Sequence, residues 1–364
     1  MSSYVEYNDK IAFHPGYYIK EIIEDSGLTQ EDFAKRLDTT PKNLSYLVRG
    51  EQSLSVDIAM KLSRMLGTSI NYWLNLQQTY DTLIAEMDYQ KEIKLEKEVF
   101  KELDYGYFKK YFGMPDLPRK INEQIDVVRS FLQVSTLTVF KKRDMAVSFR
   151  NCGKNMNDGN IIKANIMVQI AINKARTIDA PKFSRSKFET ASEYALSLTN
   201  NHKGFYPILR EKFREAGVIF VVLPNLPGSK TNGATKKIGD NILLMVNDRR
   251  LYSDSFWFTL FHEIGHIING DYGITFDEEG YEDAADRYAA DKLIPPEKYQ
   301  TFIQSGRFDA DSISKFAKLI ERDPGIVLGR LKNDGKVSYD NWQLTTAFTH
   351  QYNCLLYTSD AADE

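Results

Sequence analysis

Residues His262-Glu263-Ile264-Gly265-His266 set two imidazoles four positions apart with a carboxylate beside the first. On a helix, side chains at that spacing project from one face, so both rings can reach a single metal ion. Glu263 lies about a third of a turn further round. It is placed to meet a water at that ion rather than the ion itself. This is the pattern of a hydrolytic zinc centre, in which zinc brings the pKa of its water to roughly 7 and a glutamate takes the proton during attack on a carbonyl. The chain has 5 histidines, and two of them are committed here.

A catalytic zinc needs a third protein ligand and one position left open for water. Glu282 is the expected ligand, because it opens a second helical stretch, 282–290, after a link broken by Gly270, Gly273 and Gly280. Glu278, Glu279 and Asp283 compete for the role but lie in the link or on another helical face. An acidic helix start also suits the helix dipole without any metal. One turn after Glu282, Asp286 shares its face and is expected to hold the outer nitrogen of a ligating histidine. Tyr272, Tyr281 and Arg249 are the candidates for stabilising a developing oxyanion.

Those side chains need a buried helix to carry them, and the preceding run, 254–261, is apolar through Phe256, Trp257, Phe258 and Leu260 with no Gly or Pro. Two strands are expected before it, the apolar runs 218–223, closed by Pro224, and 242–246. Residues 231–235, containing Asn232, Gly233, Ala234 and Thr235, are the candidate edge strand for holding a substrate main chain by strand addition. Gly233 would permit close backbone approach there.

The helix 256–266, with Glu282-x-x-Ala285-Asp286-x-Tyr288-Ala289 running into Leu293-Ile294-Pro295, resembles the ImmA/IrrE family of metallopeptidases. The resemblance extends to Asn232-Gly233-Ala234-Thr235 and to 323–331, and covers roughly residues 205–335. It implies Zn2+ held by His262, His266 and Glu282, with Glu263 as general base. Family patterns often carry a second acidic residue where Ala284 stands here, and its absence favours Glu282.

Residues 14–80 read differently, as short amphipathic helices over 15–25, 30–37, 41–49, 56–66 and 70–76. The second and third are joined by Asp38-Thr39-Thr40, a link of helix-turn-helix length. Gln30 and Thr40 stand at helix starts, where polar side chains and exposed amides hold phosphate oxygens. The third helix would enter the major groove of double-stranded DNA with Thr40, Lys42, Asn43, Ser45 and Tyr46 nearest the bases, Asn43 being suited to adenine. Residues 14–80 carry 7 Lys and Arg against 8 Asp and Glu, so binding rests on the locally basic third helix and should be salt-sensitive.

His14-Pro15-Gly16, Leu28-Thr29-Gln30, Gly50-Glu51-Gln52-Ser53-Leu54-Ser55 and Tyr72-Trp73-Leu74-Asn75-Leu76-Gln77 resemble the HigA-type antitoxins among the Cro/CI-like repressors. That resemblance implies operator binding as a homodimer, and makes His14 part of a family signature rather than a metal site. Two functions follow as expectations. In one, the chain is a DNA-binding transcriptional regulator whose endopeptidase domain cleaves a partner protein such as a repressor or toxin. In the other, the peptidase-like domain is a non-catalytic sensor or toxin-binding module of an antitoxin-like repressor.

The 364 residues, 42% hydrophobic and 27% charged, fit a globular protein of several domains with ample core. The expected fold class is mainly α with a small β-sheet, α+β. The expected division is a helix-turn-helix domain over 1–80, a charge-rich helical linker or scaffold over 81–204, a zincin-like metallopeptidase domain over 205–335 and a tail over 336–364. A net charge of −3 gives no bulk attraction to nucleic acid or anionic membrane. No apolar run has bilayer length and the first residues lack a secretory signal, so a cytoplasmic protein with no membrane partner is expected. Cys152 and Cys354 suggest reduced thiols. Residues 354–364 resemble translated adapter read-through and are expected to be non-native.

Overall fold

The computed structural model describes residues 4–143, 145, 157–248, 252–276 and 283–352. Two compact units divide the chain, Met1–Leu95 and Glu96–Glu364. The fold is α+β.

The first unit opens with a hairpin, β1 (Tyr4–Tyr7) against β2 (Lys10–Phe13). Asn8 and Asp9, at φ 47° and 60°, form its two-residue turn with the left-handed backbone that Asn and Asp tolerate best. Helices α1 (Pro15–Ser26), α2 (Gln30–Arg36), α3 (Pro41–Val48) and α4 (Val56–Leu66) follow, each started by a capping side chain: His14, Thr29, Thr40 and Ser55. Their shared core is built on Ile19, Phe33, Leu44, Leu47, Ile58, Leu62 and Trp73. The His-Pro-Gly signature has a local cause. His14 Nδ1 accepts from the Gly16 amide at 3.0 Å, Pro15 starts the helix, and a side chain at Gly16 would strike the Leu47 carbonyl of α3.

The helix expected over 70–76 runs on as α5 (Ile70–Phe100), since no Gly or Pro interrupts it. The expected boundary at 80 falls inside it. In the second unit α6 (Tyr105–Phe112), α7 (Ile121–Leu132), a 3-10 turn (Leu137–Lys141) and α8 (Asp158–Ala175) come first. Helix α8 is apolar on nearly every side and buried accordingly. Buried Glu96 is satisfied by Arg129 at 2.9 Å and by the Leu137 amide at 2.7 Å. The expected loop over 150–159 lies largely outside the described residues, as do Cys152 and Cys354.

Helices α9 (Arg185–Ser197) and α10 (Phe205–Glu215) lead into β3 (Val218–Leu223), β4 (Thr231–Ile238) and β5 (Asn241–Asn247). Next come α11 (Ser253–Asn269), β6 (Gly273–Phe276), α12 (Asp283–Leu293), α13 (Pro296–Gln304), α14 (Ala310–Ile320), α15 (Pro324–Asn333) and α16 (Trp342–Phe348). The strands lie in the order β3-β5-β4-β6, with β3 and β5 parallel and the other neighbours antiparallel.

Both faces of this sheet are covered. Val218, Phe220, Val222, Leu244 and Val246 join the core containing α9–α12, α14 and α15. Ile219, Val221, Leu223, Leu243 and Met245 join the core containing α6–α8. Period-two alternation therefore serves two apolar layers at once, which is why the sequence of β3 and β5 is apolar without interruption.

One expectation changes here. Residues 231–235 are not an edge: β4 pairs with β5 on one side and β6 on the other, so its main-chain groups are already taken. Strand β6 comes from the link after α11, where sequence reading found only turn residues. Gly273 and Ile274 pair with Thr235 and Ala234.

Candidate metal centre and candidate nucleic-acid interface

Helix α11 buries Phe256, Trp257, Leu260, Phe261, Ile264 and Ile267 in the core and ends at Gly270, whose φ of 72° suits a residue without a Cβ. His262 and His266 sit on its buried face, 5% and 4% exposed. Their Nε2 atoms are 3.0 Å apart. The opposite nitrogens each meet a carboxylate, His262 Nδ1 at 2.8 Å from Asp286 Oδ1 and His266 Nδ1 at 3.1 Å from Asp271 Oδ2.

The carboxylates fix the tautomer by argument. A ring nitrogen facing a carboxylate carries the proton, so both Nε2 lone pairs point into the space between the rings. Two such lone pairs at 3.0 Å repel unless a proton or cation lies between them. Imidazole donors oriented by outer carboxylates are the usual setting of a bound metal.

Glu263 is fully buried, and Gly233 of β4 lies directly behind it. A Cβ at 233 would come within 2.5 Å of Glu263 Oε1 and 2.7 Å of its Cγ. The close approach anticipated for Gly233 is thus between strand and helix, and the glycine leaves room for a carboxylate. Gly265 does the same for α12, since a Cβ there would meet the Tyr288 ring at 3.1 Å. That contact brings α12, and with it Asp286, alongside His262.

The remaining expected residues divide. Glu282 lies outside the described residues, as do Glu278, Glu279, Tyr281 and Arg249. Asp283 is the first residue of α12. Tyr272 is partly buried, and burial pushes its hydroxyl pKa up, so it stays a neutral donor at ordinary pH. Asn232 lies at a register shift between Thr231 and Gly233 against β6. Ala234 faces the α6–α8 core, and the Thr235 hydroxyl accepts from the Gly273 amide at 3.4 Å.

Asp271 was not anticipated. The signal was the Gly270-Asp271 pair closing the helix. A left-handed glycine turns the chain back, and the Asp271 amide donates to the His266 carbonyl at 2.9 Å, which delivers its carboxylate to the same residue's ring.

In the first unit, α2 and α3 form the expected pair. Gln30 is the first residue of α2, after the cap Thr29, whose oxygen accepts from the Asp32 amide at 3.1 Å. Thr40 caps α3 by accepting from the Asn43 amide at 3.1 Å. Lys42 is exposed, while Asn43, Ser45 and Tyr46 are half-buried. The Asn43 Nδ2 already donates to Thr39 Oγ1 at 2.9 Å. Lys42 and Arg49 both approach the Tyr46 ring, at 5.8 and 5.2 Å from its centroid, so the basic groups of α3 gather around one aromatic.

Two family models match separate parts of the chain. Residues 19–73 match a helix-turn-helix family, and residues 219–332 match a peptidase family described as IrrE N-terminal-like domain. Virulence-associated protein I of Dichelobacter nodosus is 34% identical over 84 residues, 23% of this chain and 78% of that protein. The chain belongs to the helix-turn-helix regulators and carries an IrrE-like domain. Antitoxin HigA-1 of Vibrio cholerae is 31% identical over 84 residues, 23% of this chain and 79% of the antitoxin. A Pseudomonas aeruginosa protein solved with its 28-bp operator DNA is 26% identical, covering 22% of this chain and 91% of that one, with a TM-score of 0.22. Each of these matches covers less than a quarter of this chain. Metal-motif helix α11, β4, β6 and α12 fall inside the IrrE-like match. No helix among the described residues is long and apolar enough to cross a membrane.

Proposed function

We propose that this DNA-binding regulator uses its IrrE-like domain as a zinc-dependent endopeptidase acting on a partner protein, a repressor or a toxin. The observation that carries the reading is the convergence of the His262 and His266 Nε2 atoms to 3.0 Å beside buried Glu263, with both outer nitrogens held by carboxylates. Two imidazoles and a carboxylate are a donor set suited to catalytic zinc. His262, His266 and Glu282 would hold it. When bound, zinc acidifies water and polarises a carbonyl as a Lewis acid.

The chain's own groups do the rest. Glu263 accepts the proton of the attacking water and returns it to the leaving amine, as a general base and then acid. Asp286 and Asp271 keep the two rings in the tautomer that offers Nε2. Tyr272 donates to the oxyanion. The outermost strand on this side, β6, offers main-chain groups for an extended substrate in place of the expected β4.

In the first unit, the DNA-contacting residues are Gln30 and Thr40 at phosphates and Lys42, Asn43, Ser45 and Tyr46 in the major groove, with two copies of the chain on two half-sites. For Asn43 to pair with adenine it must exchange its Thr39 bond for the base.

The test is Glu263→Gln in the full chain, incubated with the protein products of neighbouring genes. Zinc content and operator binding should be unchanged while proteolysis disappears. Cleavage that survives in this variant would overturn the mechanism, and an intact wild type that binds zinc and DNA but cuts nothing would favour the sensor.

A further inference from the structure

The two histidines not yet accounted for, His202 and His350, come together in a cluster of their own. His202 lies in the turn before α10 and His350 just after α16, and their rings stack with centroids 3.8 Å apart. Between them and the core stands Asp323, the cap of α15. Its Oδ1 accepts from the Gly325 amide at 2.9 Å and from the Ser253 hydroxyl at 3.3 Å. Its Oδ2 faces the imidazoles, 3.1 Å from His202 Nε2 and 3.8 Å from His350 Nε2. One ligand atom from each of the three lies within 4.8 Å of the other two.

The cluster leaves a buried carboxylate oxygen, Asp323 Oδ2, without a hydrogen-bond partner while it faces two imidazoles. Asp323 is fully buried, and among the described residues its ion-pair contacts run only to these imidazoles. Neighbouring Arg322 directs its guanidinium to the Ile320 and Glu321 carbonyls instead. A buried carboxylate without countercharge or hydrogen bond is costly. The outer nitrogen of His202 is already oriented, with Nδ1 3.1 Å from the Tyr352 hydroxyl, which in turn accepts from Trp257 Nε1 at 3.0 Å. His350 is half exposed, which gives an ion a way in and leaves a position for water.

We propose that His202, Asp323 and His350 form a second zinc site, completed by water, that fastens the segment after α16 to the start of α11. The same segment is already tied there by the Ser253 amide, which donates to the His350 carbonyl at 2.8 Å, and by the bridge between Tyr252 and Gln351. Two imidazoles and one carboxylate suit Zn2+ at this site as well.

The test is titration of Zn2+ alone into the metal-stripped full chain against a chromophoric chelator. Wild type should take up two equivalents, and His350→Gln and His262→Ala/His266→Ala one each. Zn2+ should also raise the Tm of the double variant, and adding His350→Gln should abolish that rise. Uptake by His350→Gln equal in number and affinity to wild type would overturn the proposal. So would a folded double variant that binds none. The two sites fail separately: a single equivalent removed by His350→Gln would uphold this site and sink the α11 centre, and one removed only by the double variant would do the reverse. His350 is half exposed, so its substitution tests the site even if the double variant does not fold.

Discussion

Asp271 holds His266 at both ends, its amide on the His266 carbonyl at 2.9 Å and its carboxylate on the ring Nδ1 at 3.1 Å. The turn that stops α11 and the contact that orients its last imidazole are therefore one feature. His262 is held by a carboxylate from a different helix, Asp286 of α12. The two rings are thus aligned by independent means, one local and one dependent on the α11–α12 packing.

That difference predicts different responses. Asp271→Asn keeps the helix-terminating turn but weakens the ring contact, and is expected to lower zinc affinity by about 10–100-fold with little change in stability. Gly265→Val, which would push Tyr288 and α12 away, should lower zinc affinity and Tm together. Zinc titration paired with thermal unfolding checks both. Unchanged affinity in Asp271→Asn would show that this carboxylate does not position the ring.

Gly233→Ala is expected to move Glu263, because the added methyl would sit 2.5 Å from Oε1. The overpacking should cost about 1–3 kcal/mol of stability. A displacement of about 1 Å at the general base is worth roughly 100-fold in rate. Zinc uptake should survive, since the atoms nearest the added methyl belong to Glu263. Peptidase assays with zinc analysis on the same preparation measure the split.

Acid should loosen the first unit through His14. Burial pushes the His14 imidazole below its ordinary 6.5, with the Asp81 carboxylate partly offsetting the effect. The unfolded chain then binds the proton more readily, so the contribution is complete above about pH 6.5 and is lost as pH falls through the folded value, at no more than about 1.4 kcal/mol per pH unit. His14→Asn retains an acceptor for the Gly16 amide and removes the titration. Hydrogen exchange over α1 in the full chain at pH 7.5 and 5.5 should show acid loosening in wild type and less in the variant. Equal loosening in both would assign the effect elsewhere.

For DNA, Lys42→Ala should weaken binding to all sequences and reduce the salt slope by about 1. Asn43→Ala should instead relax discrimination at one base pair, at about 1–3 kcal/mol. Binding isotherms over a salt series with operator and random duplexes separate the two roles. A salt slope unchanged by Lys42→Ala would remove that side chain from the phosphate contacts.

The spacing of His262 and His266 was legible because helical period alone decides which side chains share a face. The helix starts at 41 and 56 and the strand character of 218–223 were legible for similarly local reasons. Asp271 was not, because its role depends on a backbone reversal at Gly270. Nor was the position of β4 in the sheet. Strand pairing is set by partners far away in sequence, and β6 is too short and glycine-led to announce itself. The His202–Asp323–His350 cluster was equally hidden, since its members come from three separate turns. The length of α5 was less legible for a simpler reason: a polar, charge-rich stretch without Gly or Pro has no stop signal, and sequence reading divided one helix into two at 80.

Leu243 and Leu244 are neighbours in the chain but belong to opposite apolar layers. A slip of one position in β5 would exchange every such pair, so selection must hold its length fixed from both sides. The irregularity between Thr231 and Gly233 is different, because β4 already absorbs an unmatched residue there against β6. Lineages of this protein should accordingly show insertions and deletions around 232, where the gap facing Glu263 can be retuned without disturbing either layer.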